Sequence, residues 1–435
     1  MENNPSRLQG LANFLALNRT VAVVLATVLF FGLGEQLWES FMPAYLEART
    51  KEFAHEAAAA GGKLSLQALG IIGVYACLRN LFEGFCYIGG GRITAWIGDR
   101  GSLILFALLT LAGYTLFLFV SSPIAASIAA LLILGWEPLS VPVTFTTVGS
   151  SVERSRQGMA FAIQSIQKRL PKVIGPPVAG LVIWLAQRRT GSAELGRISG
   201  VQLLVAIALG LGLISLAIQF RWMPHREPAP QDTGAWQIVR NFHPTLRRLL
   251  IAEVFTRWCD WLVREFVVIY VLVERGEPDV YLGVLMAIQH STALITYVPI
   301  GILTRRAGLQ PFIGLTFVFF ALFPLTLAWV PSGPWLVIAF VVYGLREIGE
   351  PARKALITSL MPEPVRACSV GLYWGLRSFA ICSSSLVGAV LWYAFGPQVL
   401  LHTAFVLGCA GAAVYYCLCR SGNRWMPTIA AQVLE

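Results

Sequence analysis

The sequence predicts an all-α polytopic membrane protein with twelve transmembrane helices in two pseudo-symmetric six-helix bundles, both termini cytoplasmic. Three observations carry that prediction: a composition too poor in charge for a water-soluble chain, long apolar segments set off by Pro, Gly and charge, and an internal repeat. The 435 residues are 56% hydrophobic and 13% charged, whereas soluble domains carry roughly 25% charged residues. Lipid is therefore the main solvent. The segments are continuously apolar and long enough for the roughly 20 residues that cross a bilayer as a helix. They do not alternate as short barrel strands do.

Twelve spans are predicted, near 18–46, 66–90, 103–120, 123–150, 157–187, 198–221, 245–273, 280–304, 311–330, 334–361, 365–394 and 397–420. They are called spans 1 to 12 below. The segment 222–244, rich in Pro and charge, divides the chain into an N-terminal bundle (1–221) and a C-terminal bundle (245–435). With both termini inside, the inner loops and ends hold 18 Lys and Arg residues and the outer loops 7, as the positive-inside rule requires. An even number of spans follows. The N-terminus lacks a signal-peptide pattern, so the first span is expected to be retained.

The two bundles repeat each other. Gly91 and Gly98 correspond to Gly301 and Gly308 at an offset of 210. Gly135 and Pro142 match Gly344 and Pro351 at 209, and Arg169, Gly180 and Trp184 match Arg377, Gly388 and Trp392 at 208. An ordered series whose offset drifts slowly is the mark of a duplication.

Other classes fit less well. The net charge of +10 is explained by topology, and no basic tract with interleaved aromatics points to nucleic acid. The eight cysteines show no paired spacing and read as small core hydrophobes. No phosphate-binding Gly loop, nucleophile elbow or His/Cys metal spacing occurs, so no enzyme, cofactor or dedicated metal site is expected.

Ionisable residues inside the spans mark the functional region, because charge at bilayer depth costs several kcal/mol unless it meets a partner or a cavity. Spans 3, 6 and 9 carry none short of their ends, and span 12 carries only His402 near its outer end, as expected of helices facing lipid. The others surround something polar. Arg79, Glu137, Arg169, Arg257, Asp260, Arg346 and Arg377 lie roughly 18–22 Å into their spans, near the midplane. The arginines, with His290, are the expected substrate-binding residues, since guanidinium grips carboxylate or phosphate through paired donors. Glu35, Glu137 and Asp260 are the expected proton-coupling residues. The competing reading is structural: Arg79/Glu83, Glu253/Arg257 and Asp260/Arg264 are each spaced to pair along one helix.

At this point the chain resembles the major facilitator superfamily over essentially its whole length. The loop between spans 2 and 3, Gly91-Arg-Ile-Thr-Ala-Trp-Ile-Gly98-Asp99-Arg100, is similar to that family's G-x-x-x-D-R-x-G-R-K motif, with Ala95 in the place of the usual Asp. The second copy, Gly301-Ile-Leu-Thr-Arg305-Arg306-Ala-Gly308, keeps the glycines and one Arg. The resemblance implies that Gly91, Gly98, Asp99, Arg100, Gly301, Arg305, Arg306 and Gly308 form a conformational latch. In span 5, Gly175-Pro176-Pro177-Val178-Ala179-Gly180 looks like the G-P-x-x-G-G element of the family's drug/proton antiporters. A hinge at Gly175, Pro176 and Gly180 is implied.

The expected function is secondary active transport of a small organic solute by alternating access, proton-coupled, with export slightly favoured. Uptake or exchange of an organic anion is the near alternative. A non-transporting sensor, receptor or channel belongs to a different class, and a metal or metal chelate is a minor substrate reading. The expected setting is a monomer in the plasma or bacterial inner membrane, with lipid, substrate and a coupling proton as its partners and no nucleic acid.

Overall fold

A computed structural model describes residues 19–53, 66–151, 154–224, 235–361 and 366–420, and these are almost entirely helical. Nine helices among them are long and apolar enough to cross a membrane. One of the nine, Leu66–Phe119, contains spans 2 and 3. Spans 7 and 10 fall outside the nine: Pro244–Ile269 carries several charges, and span 10 is broken into Leu336–Leu345 and Glu350–Ser359.

The helix Leu66–Phe119 cannot be straight. At 54 residues it would be roughly 81 Å long. Yet Ala68, Leu69 and Ile72 share one apolar cluster with Leu111, Tyr114 and Phe117. Cys86 shares another with Leu103 and Phe106. The chain reverses at Gly98, whose φ of 74° and ψ of 171° belong to a region that essentially only Gly enters. Gly308, its counterpart at the end of span 8, has φ 77° and ψ 179°. The two glycines paired by the repeat make the same turn.

Prolines place the other breaks. A proline ring displaces the carbonyl four residues earlier and removes one hydrogen bond. Pro138 accordingly separates Pro123–Leu134 from Trp136–Ser151 in span 4. Pro351 opens span 10 at residues 346–349, where the freed Gly349 N–H donates to the Thr316 hydroxyl at 2.7 Å. Within the segment read as a linker, Ala235–Arg240 is helical, and Ile238 and Phe242 join the apolar cluster of the C-terminal half.

The apolar core is divided unevenly between the two ends of the molecule. At the end far from the linker, one cluster runs through both halves, from Trp38, Phe41 and Tyr45 to Leu262, Phe266 and Trp392. At the linker end the core is two clusters. One lies in the N-terminal half around Val24, Phe106 and Val143, the other in the C-terminal half around Leu249, Phe317 and Tyr373. Spans 2 and 11 nevertheless touch along their length: Gly73 meets Ala389, Gly84 meets Phe379, and Tyr87 packs edge-on to Trp374 at 5.5 Å.

A polar clamp reinforces the far end. Asp279, 2% exposed, opens span 8 and accepts from Arg197 Nε at 3.0 Å and Gln187 Nε2 at 2.7 Å, both from the N-terminal half. Its charge also suits the first turn of a helix.

Two outcomes follow. Gly98→Ala should cost about 1–3 kcal/mol and lower the thermal unfolding midpoint in detergent. Gly91→Ala, in open helical surroundings, should not lower it. Asp279→Asn should speed thiol labelling of a cysteine placed at the buried Ala44, in a background lacking the native thiols; an unchanged rate would mean that the clamp does not hold the far end shut.

Candidate functional site

The site begins where span 1 changes its winding. The helix Arg19–Gln36 ends, a 3-10 turn covers Glu39–Phe41, and Met42–Phe53 continues. Glu35 and Glu39, which an unbroken helix would stack on one face, acquire different surroundings. Glu39 accepts from Gln36 Nε2 at 2.5 Å, bonds to Arg79, and lies 3.8 Å from Arg264 of span 7. Arg79 also reaches Glu83 and Glu265, each at 3.5 Å. Trp261 packs its ring against Arg79 and Arg264, at 5.5 and 4.4 Å, a favourable partner for a desolvated cation.

Glu35 instead lines a cleft between spans 1, 4 and 5, together with Val28, Gly32, Trp136, Glu137, Lys168 and Lys172. The cleft is small, with a cavity volume of about 30 Å³. Glu35 is 8% exposed. Lys168 lies 3.8 Å from Glu137. The side chains of Glu35 and Lys172 make no hydrogen bond and no ion pair within 4 Å among the described residues.

The C-terminal half holds a second, denser network. Asp260 bonds to Arg346 and lies 3.8 Å from Arg257. Arg257 is 3.6 Å from Glu350. Arg353 binds Glu350 through two nitrogens, at 2.5 and 2.9 Å, and also reaches Glu253, which sits 3.9 Å from Arg377. Arg346 stacks over Tyr343 at 3.9 Å. The network crosses to the N-terminal half at Arg169, which lies 3.0 Å from Glu347 and 5.2 Å from the ring of Tyr297.

Of the residues expected to bind substrate, Arg257, Arg346 and Arg377 thus gather in one network with Asp260, and Arg169 joins it through Glu347. Arg79 belongs to the separate group around Glu39. His290 has neither a hydrogen bond nor an ion pair among the described residues. Glu35 and Glu137 share the cleft, whereas Asp260 does not line it.

Of the three pairings expected along single helices, Arg79–Glu83 forms. Glu253 and Asp260 turn instead to arginines of spans 10 and 11, and Arg264 turns to Glu39. Partners across an interhelical gap neutralise charge and join helices at once. Arg353, counted from sequence among the cations at span ends, is 3% exposed and central to the network. Lys172 lies within span 5, and spacing along the helix does not report that it has no ion pair within 4 Å among the described residues.

The latch region is tied down locally. Asp99 accepts from the Thr147 hydroxyl at 2.9 Å, and Arg100 donates to the Phe220 carbonyl at 2.7 Å near the end of span 6, where a cation is favoured. The side chains of Arg305 and Arg306 and the surroundings of Gly301 lie outside the described residues. Gly175 and Gly180 serve close approach. A Cβ on Gly175 would lie 2.7 Å from the Gln36 carbonyl oxygen, and one on Gly180 would lie 2.6 Å from that of Asp279. Pro176 backs onto Gly283 of span 8.

These features define a multi-pass helical membrane protein whose interior is an ion-paired polar network around a cleft. The chain belongs to the Major Facilitator Superfamily, whose family model matches residues 24–389. A Na(+), Li(+), K(+)/H(+) antiporter from Planococcus maritimus is 24% identical over 205 residues, 45% of this chain and 46% of that protein. The chain therefore matches about half the length of that relative. Among solved structures, the POT family transporter PepTSo has a TM-score of 0.70 at 12% identity, over 94% of this chain and 99% of that one. The human organic anion transporter MFSD10 (TETRAN) has a TM-score of 0.64 at 16% identity, over 91% and 98%. Both likenesses are of fold.

Removing one member of a buried ion pair strands the other, at a cost of roughly 3–5 kcal/mol. Arg346→Met and Asp260→Leu should each lower the unfolding midpoint sharply. The double variant should recover much of the loss, because no lone charge remains; thermal unfolding of the four proteins gives the coupling directly.

Proposed function

We propose that this chain is a proton-coupled secondary active transporter that moves a small organic solute by alternating access, in the direction of export. Twelve spans place both termini in the cytoplasm, and the bundles 1–221 and 245–435 move against each other about the 222–244 segment. The linker-end mouth then faces the cytoplasm, and the far end is the extracellular or periplasmic side.

The observation that supports this reading is Glu35, a carboxylate on a cleft with no cation within 4 Å among the described residues, where Glu39, Glu137, Glu253, Asp260, Glu265, Glu347 and Glu350 are each in an ion pair. An uncompensated charge at that depth is costly, so a proton or a cationic group arriving there is strongly favoured, and the two compete. Glu137, on the same cleft and balanced by Lys168, responds to whatever occupies Glu35. Competition of proton and solute for one carboxylate couples their opposite movements. Uptake or exchange of an organic anion has less support, because Arg79, Arg169, Arg257, Arg346 and Arg377 each already face a carboxylate.

A second reading, exchange of a monovalent cation for protons, is favoured by the partial similarity to the Planococcus antiporter. It uses the same carboxylate.

Proteoliposomes carrying a pH-sensitive dye, with an imposed pH gradient, distinguish these readings. They are challenged in turn with Na⁺, K⁺ and a panel of small amines, carboxylates and zwitterions. An organic member of the panel should dissipate the gradient. Glu35→Gln should slow that dissipation at least roughly 10-fold, a loss of about 1.4 kcal/mol, while exchange without a gradient persists. Dissipation by Na⁺ or K⁺ alone would establish the second reading. Unchanged gradient dependence in Glu35→Gln would remove the coupling role.

A further inference from the structure

Lys172 gives the cleft a second charge with no ion pair within 4 Å among the described residues, of opposite sign to the first. We infer that the solute taken by this cleft is a small zwitterion, its ammonium held by Glu35 and its anionic group by Lys172. The inference rests on the transporter reading above and adds the substrate class.

The argument begins with which charges are still available. Arg79, Arg169, Arg257, Arg346, Arg353 and Arg377 each lie within 4 Å of a carboxylate. Lys168 is opposite Glu137. The side chains of Glu35 and Lys172 face the same cleft and have neither an ion pair within 4 Å nor a hydrogen bond among the described residues. Their charge centres are thus more than a salt-bridge distance apart, with the cleft as their common surface. One anionic and one cationic group, separated and neither in a direct ion pair, are the complement of a molecule carrying the reverse pair.

Charge balance selects among ligand classes. Glu35 and Glu137 offset Lys168 and Lys172, so the cleft is neutral in sum. A ligand that is only an amine satisfies Glu35 and leaves Lys172 uncompensated at bilayer depth. A ligand that is only an acid does the reverse. A zwitterion satisfies both without adding net charge, which the low-dielectric surroundings favour. The remaining lining suits the carbon body of such a molecule. Val28 and Pro171 are apolar, and Trp136 is fixed by stacking on Phe31 at 4.6 Å. The Trp136 Nε1 donor is buried without a partner among the described residues.

The reading also fits the proton coupling proposed for Glu35. Protonation removes the anchor for the ammonium, and the zwitterion is then held by Lys172 alone. Release on the acidic side follows without any further group.

Equilibrium binding to the purified full chain tests the inference independently of transport. The probes are unbranched ω-amino acids from glycine to 6-aminohexanoate, with alkylamines and alkanoates of matched length, titrated by calorimetry. One ω-amino acid should bind at least roughly 10-fold more tightly than both matched single-charge analogues. In Glu35→Gln that advantage over the alkanoate should vanish, and in Lys172→Met the advantage over the alkylamine should vanish. Thermal unfolding without ligand checks that each variant is folded, and the charge-exchanged double variant Glu35→Lys with Lys172→Glu should restore the preference for zwitterions. Equal binding of zwitterions and single-charge analogues at every length would overturn the inference, as would binding by none of the series or a preference that survives both substitutions. If the proteoliposomes show no gradient-coupled movement but the binding preference holds, the transporter reading fails while the zwitterion site stands; the converse result sinks the site alone.

Discussion

Charge that has left water must find charge of the opposite sign, and much of this molecule's interior is arranged around that requirement. In a medium without water the attraction of an ion pair is strong, and so is the penalty for a lone member. Glu39, Asp260, Glu253, Glu347 and Glu350 are each met by at least one arginine. Several of these bonds join different helices. Arg169 to Glu347 and Arg79 to Glu265 join the two halves of the chain. Neutralisation and assembly are therefore one event, and removing a single partner disturbs packing as well as electrostatics.

Against that background the few unmatched groups stand out. The winding change at Glu39–Phe41 separates two carboxylates that sequence spacing places together. One is enclosed by Arg79, Arg264 and Gln36; the other faces the cleft beside Glu137. The breaks at Pro138 and Pro351 act similarly, setting Glu137 and the Arg346–Glu347 pair at interruptions where side chains are aimed off the regular helical stripe.

Much of the fold was legible in the sequence because lipid imposes a simple rule on composition and length. Helical spans and the matched turns at Gly98 and Gly308 follow from apolar runs and repeated glycines. The partners of the buried charges were much less legible. Spacing along a helix reports neighbours at i+4, and on that basis Asp260 belongs with Arg264. The folded chain gives Asp260 to Arg346, which is distant in sequence. Arg353 was misjudged for a related reason: its place near a span end says nothing about the acidic residues that spans 7 and 10 bring around it. Glu35, Glu137 and Lys172 are recognisable as charges within spans, but only the assembled helices show that the Glu35 and Lys172 side chains have no ion pair within 4 Å among the described residues.

The contact between spans 2 and 11 has a kinematic consequence. Two rods that touch along their length, at Gly73–Ala389, Gly84–Phe379 and Tyr87–Trp374, can roll or twist on each other far more readily than they can part. Rolling about the length of the seam would open or close both ends together, and the close contact of span 5 with span 8 at Gly180–Asp279 and Pro176–Gly283 resists it. A change in the angle at which the paired helices cross, pivoting about a point partway along them, is the motion that ties widening at one end to narrowing at the other. Small side chains at the seam, Gly73, Gly84 and Gly375 among them, keep the facing surfaces smooth, and a bulky replacement there would act as a wedge that fixes the angle.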